Sequence, residues 1–180
     1  MSQLSNNDCL LVPLNDRDYA QGPTDAPIQL VEYGDYQSPK CGKAYRMIKA
    51  AQQQLGNQLC FVFRHFPQTQ IHMNAQRAAE AAEAAAAQGK FWEMHDALFE
   101  HQQTLGNGYL VEYAYLLGLD VSLFLRDLSS HVYAKQVKED IESGRYTGVT
   151  SAPTLFINGI RYKDSWVLER LLATISSTSF

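Results

Sequence analysis

Apolar and aromatic residues gather into two short runs near the start of the chain, Ile28-Gln29-Leu30-Val31-Glu32-Tyr33 and Leu59-Cys60-Phe61-Val62-Phe63-Arg64-His65-Phe66. Gly34 follows the first and Pro67 closes the second, so both read as strands. Between them, from Lys40 to Leu55, Tyr45, Ile48, Ala51 and Leu55 recur at helical spacing, and Gly56 stands where a helix ends. A strand, helix and strand in this order imply parallel pairing of the two strands with the helix packed on the sheet. Leu10 to Leu14 reads as a further short strand at the start, followed by a loop carrying Gly22-Pro23 and Asp25-Ala26-Pro27.

The period then changes. From Asn74 to about Tyr146 the pattern is helical: an alanine-rich stretch at Ala75 to Ala87, a helix with Phe91, Met94, Leu98 and Phe99 on one face, and three more at Tyr109 to Leu117, Val121 to Leu128 and Tyr133 to Arg145. Thr154 to Ile157 returns to a strand pattern, and Asn158-Gly159 signals a hairpin into Ile160-Arg161-Tyr162. A last helix with Val167, Leu168, Leu171, Leu172 and Ile175 on its apolar side is expected to be capped by Asp164 or Ser165. The expected architecture is α/β: a mixed sheet with helices on both faces, interrupted by a helical insertion at about 72–147, in one domain over 1–180.

Composition narrows the function classes. At 180 residues and 46% hydrophobic content the chain can bury one core. A net charge of −4, with scattered Lys and Arg, gives neither a nucleic-acid footprint nor a membrane-surface patch. No window reaches the length of a membrane span, and the first residues lack the basic and apolar regions of a secretion signal, so a cytoplasmic protein is expected. Three widely spaced cysteines, Cys9, Cys41 and Cys60, do not form a disulfide framework.

The candidate chemistry lies at Ser38-Pro39-Lys40-Cys41, between the first strand and the helix. There, unpaired N–H groups and the helix dipole favour negative charge. Ser38 cannot act as a thiolate in disulfide exchange, which requires sulfur at both atoms. Cys41, one turn deeper on the same face, retains a thiol. His65, His72, His95, His101 and His131 have no metal-ligand spacing and are expected in packing or surface roles; no metal is expected.

These motifs together resemble the DsbA-like disulfide oxidoreductases, a thioredoxin fold with a helical insertion. The resemblance rests on Val31-Glu32-Tyr33-Gly34-Asp35-Tyr36-Gln37-Ser38-Pro39-Lys40-Cys41, on Phe63-Arg64-His65-Phe66-Pro67, on Gln88-Gly89-Lys90-Phe91-Trp92-Glu93-Met94-His95 and on Gly148-Val149-Thr150-Ser151-Ala152-Pro153-Thr154-Leu155-Phe156-Ile157-Asn158-Gly159. It implies that Ser38 occupies the attacking-cysteine position and Cys41 the resolving one. Pro153 would be a cis-proline facing them, with Ala152 offering backbone groups to a substrate beside Pro39 and Lys40. Glu32 would be the acidic residue beneath the site that exchanges a proton with the deeper cysteine, its pKa raised by partial desolvation.

The serine departs from the family pattern. Thiol-disulfide chemistry attenuated to Cys41 as a monothiol is the first expectation, and a serine substituted into a C-P-K-C enzyme would leave the same pattern. A glutathione-dependent transferase or isomerase of kappa-like type, using Ser38 to hold the thiolate of glutathione, is the second. A non-catalytic peptide-binding module is the third. The expected partners are thiol or disulfide proteins and peptides, or glutathione as co-substrate, with no resident cofactor.

Overall fold

A computed structural model describes residues 8–178; the outermost positions of the expected 1–180 domain, 1–7 and 179–180, lie outside the described residues. In chain order the elements are β1 (Tyr19–Gln21), β2 (Ile28–Gly34), α1 (Pro39–Leu55), a short 3-10 turn (Gly56–Gln58), β3 (Leu59–His65), α2 (Ala75–Ala86), α3 (Phe91–Glu100), α4 (Asn107–Leu116), α5 (Val121–Ser129), α6 (Ala134–Tyr146), β4 (Thr154–Ile157), β5 (Ile160–Arg161) and α7 (Leu168–Thr178). The sheet runs β1-β3-β2-β4-β5. β2 and β3 are parallel, with Glu32 opposite Phe63; the other pairings are antiparallel, with Glu32 also opposite Leu155 of β4. This is the thioredoxin fold with a mixed sheet, its helical insertion α2–α6 lying between β3 and β4.

The expected strand at Leu10 to Leu14 does not form. Cys9 makes a single bridge to Ile160 and the Leu10 N–H donates to the Gly159 carbonyl, after which the chain leaves the sheet. The carbonyls of Val12 and Pro13 instead accept from the buried guanidinium of Arg64 at 2.8 and 2.9 Å. Arg64 also meets both carboxylate oxygens of Asp18 at 2.8 Å and donates to the Tyr33 hydroxyl at 2.9 Å. The edge strand is Tyr19–Gln21, a segment too short to carry a period of its own.

Alternation along β2 sends neighbouring residues to opposite faces. Leu30 and Glu32 share one face with Phe61, Phe63 and Leu155, against α1 and the aromatic side of α3, where His95 lies 4.7 Å from the Phe63 ring centre. Val31 and Tyr33 share the other face with Arg64 and Phe156; there α6 approaches so closely that a Cβ on Gly144 would lie 3.0 Å from Tyr33 and Phe66. The Asn158-Gly159 turn has φ of 47° and 81°, both positive as a two-residue hairpin of this twist requires. The last helix starts later than expected. Asp164 bonds the Ser165 N–H, and the first helical carbonyl is that of Val167, so neither Asp164 nor Ser165 is its cap. Tyr162, whose hydroxyl donates to the Ser165 carbonyl, holds that loop away from the helix.

Candidate functional site

The turn between β2 and α1 is built as an N-cap. Ser38 has extended φ and ψ of −75° and 122°, its Oγ accepts from the Cys41 N–H at 3.3 Å, and Pro39 fills the first helical position. Two glutamines, one from beyond α3 and one in the turn itself, brace it. Gln102, just beyond α3, donates to the carbonyls of Tyr36 and Ser38, both at 2.8 Å, and Gln37 accepts from the Asn74 N–H. Gly42 is needed for this approach, since a Cβ there would collide with the Gln102 carboxamide.

A cavity of about 820 Å³ opens over the turn. Ser38, Pro39 and Lys40 form one wall, and Ala152 and Pro153 another, joined by a cis peptide bond. Gln68 and His72 from the loop after β3, together with Ser165 and Trp166, complete the lining with Lys43, Ile71 and Ser151. The Gln68 side chain accepts from the Ala152 N–H at 3.2 Å, tying the two loops together. Pro39, Lys40, Ser38, Ala152 and Pro153 thus line one cavity, a grouping that only the family resemblance had implied.

Cys41 and Glu32 are not in that lining. Cys41 is 0% exposed, its sulfur accepting from the Asp35 N–H at 3.4 Å. Burial, then the nearby Glu32 carboxyl, hold the thiol well above its ordinary pKa, opposed only partly by hydrogen bonds from Asp35 and Ser38. Glu32 is buried without a partner for Oε1, and desolvation pushes its pKa up to about 8. All three cysteines are free thiols: Cys60 is buried in β3 and Cys9 half-buried on the bridge to β5.

Asp35 and His72 were not singled out by sequence. Asp35 Oδ1 accepts from the Gln37 N–H, Oδ2 from the Gln68 N–H and from His72 Nδ1 at 2.8 Å. His72, expected in a packing or surface role, therefore stands in the cavity wall with one ring nitrogen fixed. The only local signal was Asp35 lying next to an aromatic residue three positions before Ser38. A second cluster lies apart from the cavity. His65 Nε2 meets Glu83 at 2.8 Å, Tyr19 donates to the other Glu83 oxygen, and Asp140 accepts from the His65 N–H. Its possible ligand atoms lie within 4.8 Å of one another, and while His65 Nε2 is held by Glu83, the buried Nδ1 has no hydrogen-bond partner.

The family profile described as "Thioredoxin" matches residues 14–177. The chain belongs to the thioredoxin family. Among solved structures, this thioredoxin-family chain is similar to oxidised BdbD from Bacillus subtilis, with a TM-score of 0.84 at 22% identity over 96% of this chain and 98% of that one. It is also similar to Wolbachia pipientis alpha-DsbA1, with a TM-score of 0.80 at 20% identity over 98% and 96%. Curated relatives include the Na(+)/H(+) antiporter NhaA 1 of Salinispora arenicola, 42% identical over 169 residues, 93% of this chain and 26% of that protein. The chain spans about a quarter of the length of such relatives. Among the described residues no helix is long and apolar enough to cross a membrane.

Proposed function

We propose that this is a protein of the thiol-disulfide oxidoreductase type whose groove binds a thiol- or disulfide-bearing peptide, glutathione included, with Ser38 rather than Cys41 meeting the ligand's sulfur. One observation carries this reading: the 820 Å³ cavity is walled by Ser38, Ala152 and Pro153, while Cys41 has no exposure and no place in the wall. A serine hydroxyl has one proton to donate and two lone pairs. Here one lone pair is taken by the Cys41 N–H, and the O–H, shared with the Cys41 sulfur, can turn to a sulfur arriving in the groove. A thiolate at this N-cap would also benefit from the α1 dipole. Calorimetry with reduced glutathione tests the reading. Binding weakened about tenfold by Ser38→Ala supports a charge-assisted hydrogen bond of about 1.4 kcal/mol; equal binding by both proteins rejects it.

Cys41 as a monothiol is the second reading, supported by Glu32 beneath it. A carboxyl titrating near 8, with an oxygen lacking a partner, keeps its proton at neutral pH and is suited to give it to a Cys41 thiolate and to take it back as the pH rises past 8. Incubation with oxidised glutathione followed by intact-mass measurement distinguishes this reading: an adduct of one glutathione, lost in Cys41→Ala, supports it, and an unmodified folded protein rejects it. Ser38→Cys restores the second sulfur, and insulin reduction by that variant measures how much of a two-sulfur site the surroundings retain.

A further inference from the structure

The Asp35–His72 pair has a role that the binding of a thiol leaves open. A thiol ligand is neutral when it enters at neutral pH, and the hydroxyl of Ser38 can stabilise a thiolate but cannot take the proton from sulfur. We propose that His72 is the proton acceptor for a thiol bound over Ser38, with Asp35 as its positioning residue. This rests on the proposed binding of a thiol in the groove.

The geometry supplies the parts. Asp35 is fully buried, and as a carboxylate facing the N–H groups of Gln37 and Gln68 it can only accept, so the proton on the shared His72 bond sits on Nδ1. Nε2 then carries the free lone pair. His72 is the half-buried member of the pair, its side chain 17% exposed, in the wall of the same cavity as Ser38. Both side chains line the same cavity of about 820 Å³, which is large enough to admit a ligand against them. An imidazole held through Nδ1 by a carboxylate is the side chain best suited to take and return a proton near neutrality.

The step is balanced within the site. The ligand's S–H bond breaks, its electron pair stays on sulfur, and the proton forms a bond with Nε2. The imidazolium is offset by Asp35, and the thiolate is met by the Ser38 O–H and the α1 N-terminus. The other ionisable groups in the cavity wall are Lys40 and Lys43. Both are cationic, so the wall favours a thiol that also carries carboxylates, and glutathione is one such probe.

The experiment compares glutathione with S-methylglutathione, which has no thiol proton, on the full chain across pH 6 to 9, reading calorimetric affinity and the ultraviolet absorbance of bound thiolate. The expected result is that the parent protein prefers glutathione by about tenfold at neutral pH with thiolate absorbance appearing on binding. In His72→Gln the preference disappears and the thiolate appears only near the ligand's own solution pKa. Asp35→Asn, which can hold the opposite tautomer, loses the thiolate signal likewise, its folding checked by circular dichroism, and His101→Gln, away from the cavity, changes nothing. A His72→Gln protein that forms thiolate as the parent does overturns the assignment while leaving thiol binding intact. Parent protein that binds both ligands equally without thiolate overturns it too, and parent protein that binds neither overturns it together with the proposed function.

Discussion

Two ionisable side chains are buried from neighbouring positions of the same sheet on opposite faces, and the protein treats them in opposite ways. Arg64 of β3, 2% exposed, has its donors distributed over both Asp18 oxygens, the Val12 and Pro13 carbonyls and the Tyr33 hydroxyl. Glu32 of β2, 1% exposed, has an oxygen with no partner. Burying a charge costs several kcal/mol unless the surroundings replace water. The Arg64 region replaces it completely and serves as structure, pinning the N-terminal segment across the sheet. The Glu32 region does not, and the cost appears as a carboxyl held protonated beside Cys41.

The comparison breaks most severely at Arg64. Arg64→Ala leaves the Asp18 carboxylate without its counter-charge, held by the Asn15 N–H, and is expected to cost about 3–5 kcal/mol in urea unfolding. A double replacement by Met and Leu at 64 and 18 is expected to recover much of that loss, because no lone charge remains.

Glu32→Gln should act in the opposite sense. The folded carboxyl titrates near 8 against 4.5 for the ordinary group, so between these values the unfolded chain is ionised while the folded one keeps its proton. The parent therefore loses stability as pH rises from about 4.5 through 8. In Glu32→Gln that slope flattens, with a gain of roughly 2–4 kcal/mol relative to the parent at the alkaline end. Melting curves across the range decide it; an unchanged slope would place the carboxyl in contact with water.

Smaller effects separate the brace of the site from its chemistry. Gln102→Ala removes the donor to the Tyr36 carbonyl and one of two donors to that of Ser38, and is expected to cost about 1–2 kcal/mol, with faster hydrogen exchange confined to the start of α1. Ser38→Ala removes a side-chain N-cap and is expected to cost about 1 kcal/mol in thermal unfolding, whatever its effect on ligand binding.

Much of the framework was legible before the structure. β2, α1, β3, the insertion helices and the Asn158-Gly159 hairpin follow from local period and punctuation, and they occupy the expected ranges within a residue or two. The strand expected at Leu10 to Leu14 failed because an arginine over 50 positions away took the carbonyls that a neighbouring strand would have used. Tyr19–Gln21 was missed because three residues paired at an edge draw their conformation from β3, not from their own composition. The S-P-K-C turn was recognisable as a helix start with Cys41 one turn deeper than Ser38, but the cavity that Ser38 lines and the complete burial of Cys41 came from the packing of distant segments.

Sequence alone determined what is local: which segments are strands and helices, that Ser38-Pro39 opens α1, and that the sulfur absent at 38 removes a two-sulfur cycle from the unmodified site. Tertiary structure decided what is shared between distant segments. The bonds from Asp35 to His72, from Gln68 to Ala152 and from Gln102 to Tyr36 and Ser38 join residues 37, 84, 66 and 64 positions apart. Their formation depends on how the β3 loop, the insertion and the Pro153 loop pack around one end of the sheet. Burial is likewise a property of neighbours and not of residue type, which is why Glu32 becomes a titrating acid near neutrality only once β2, β3, β4 and α1 have closed around it.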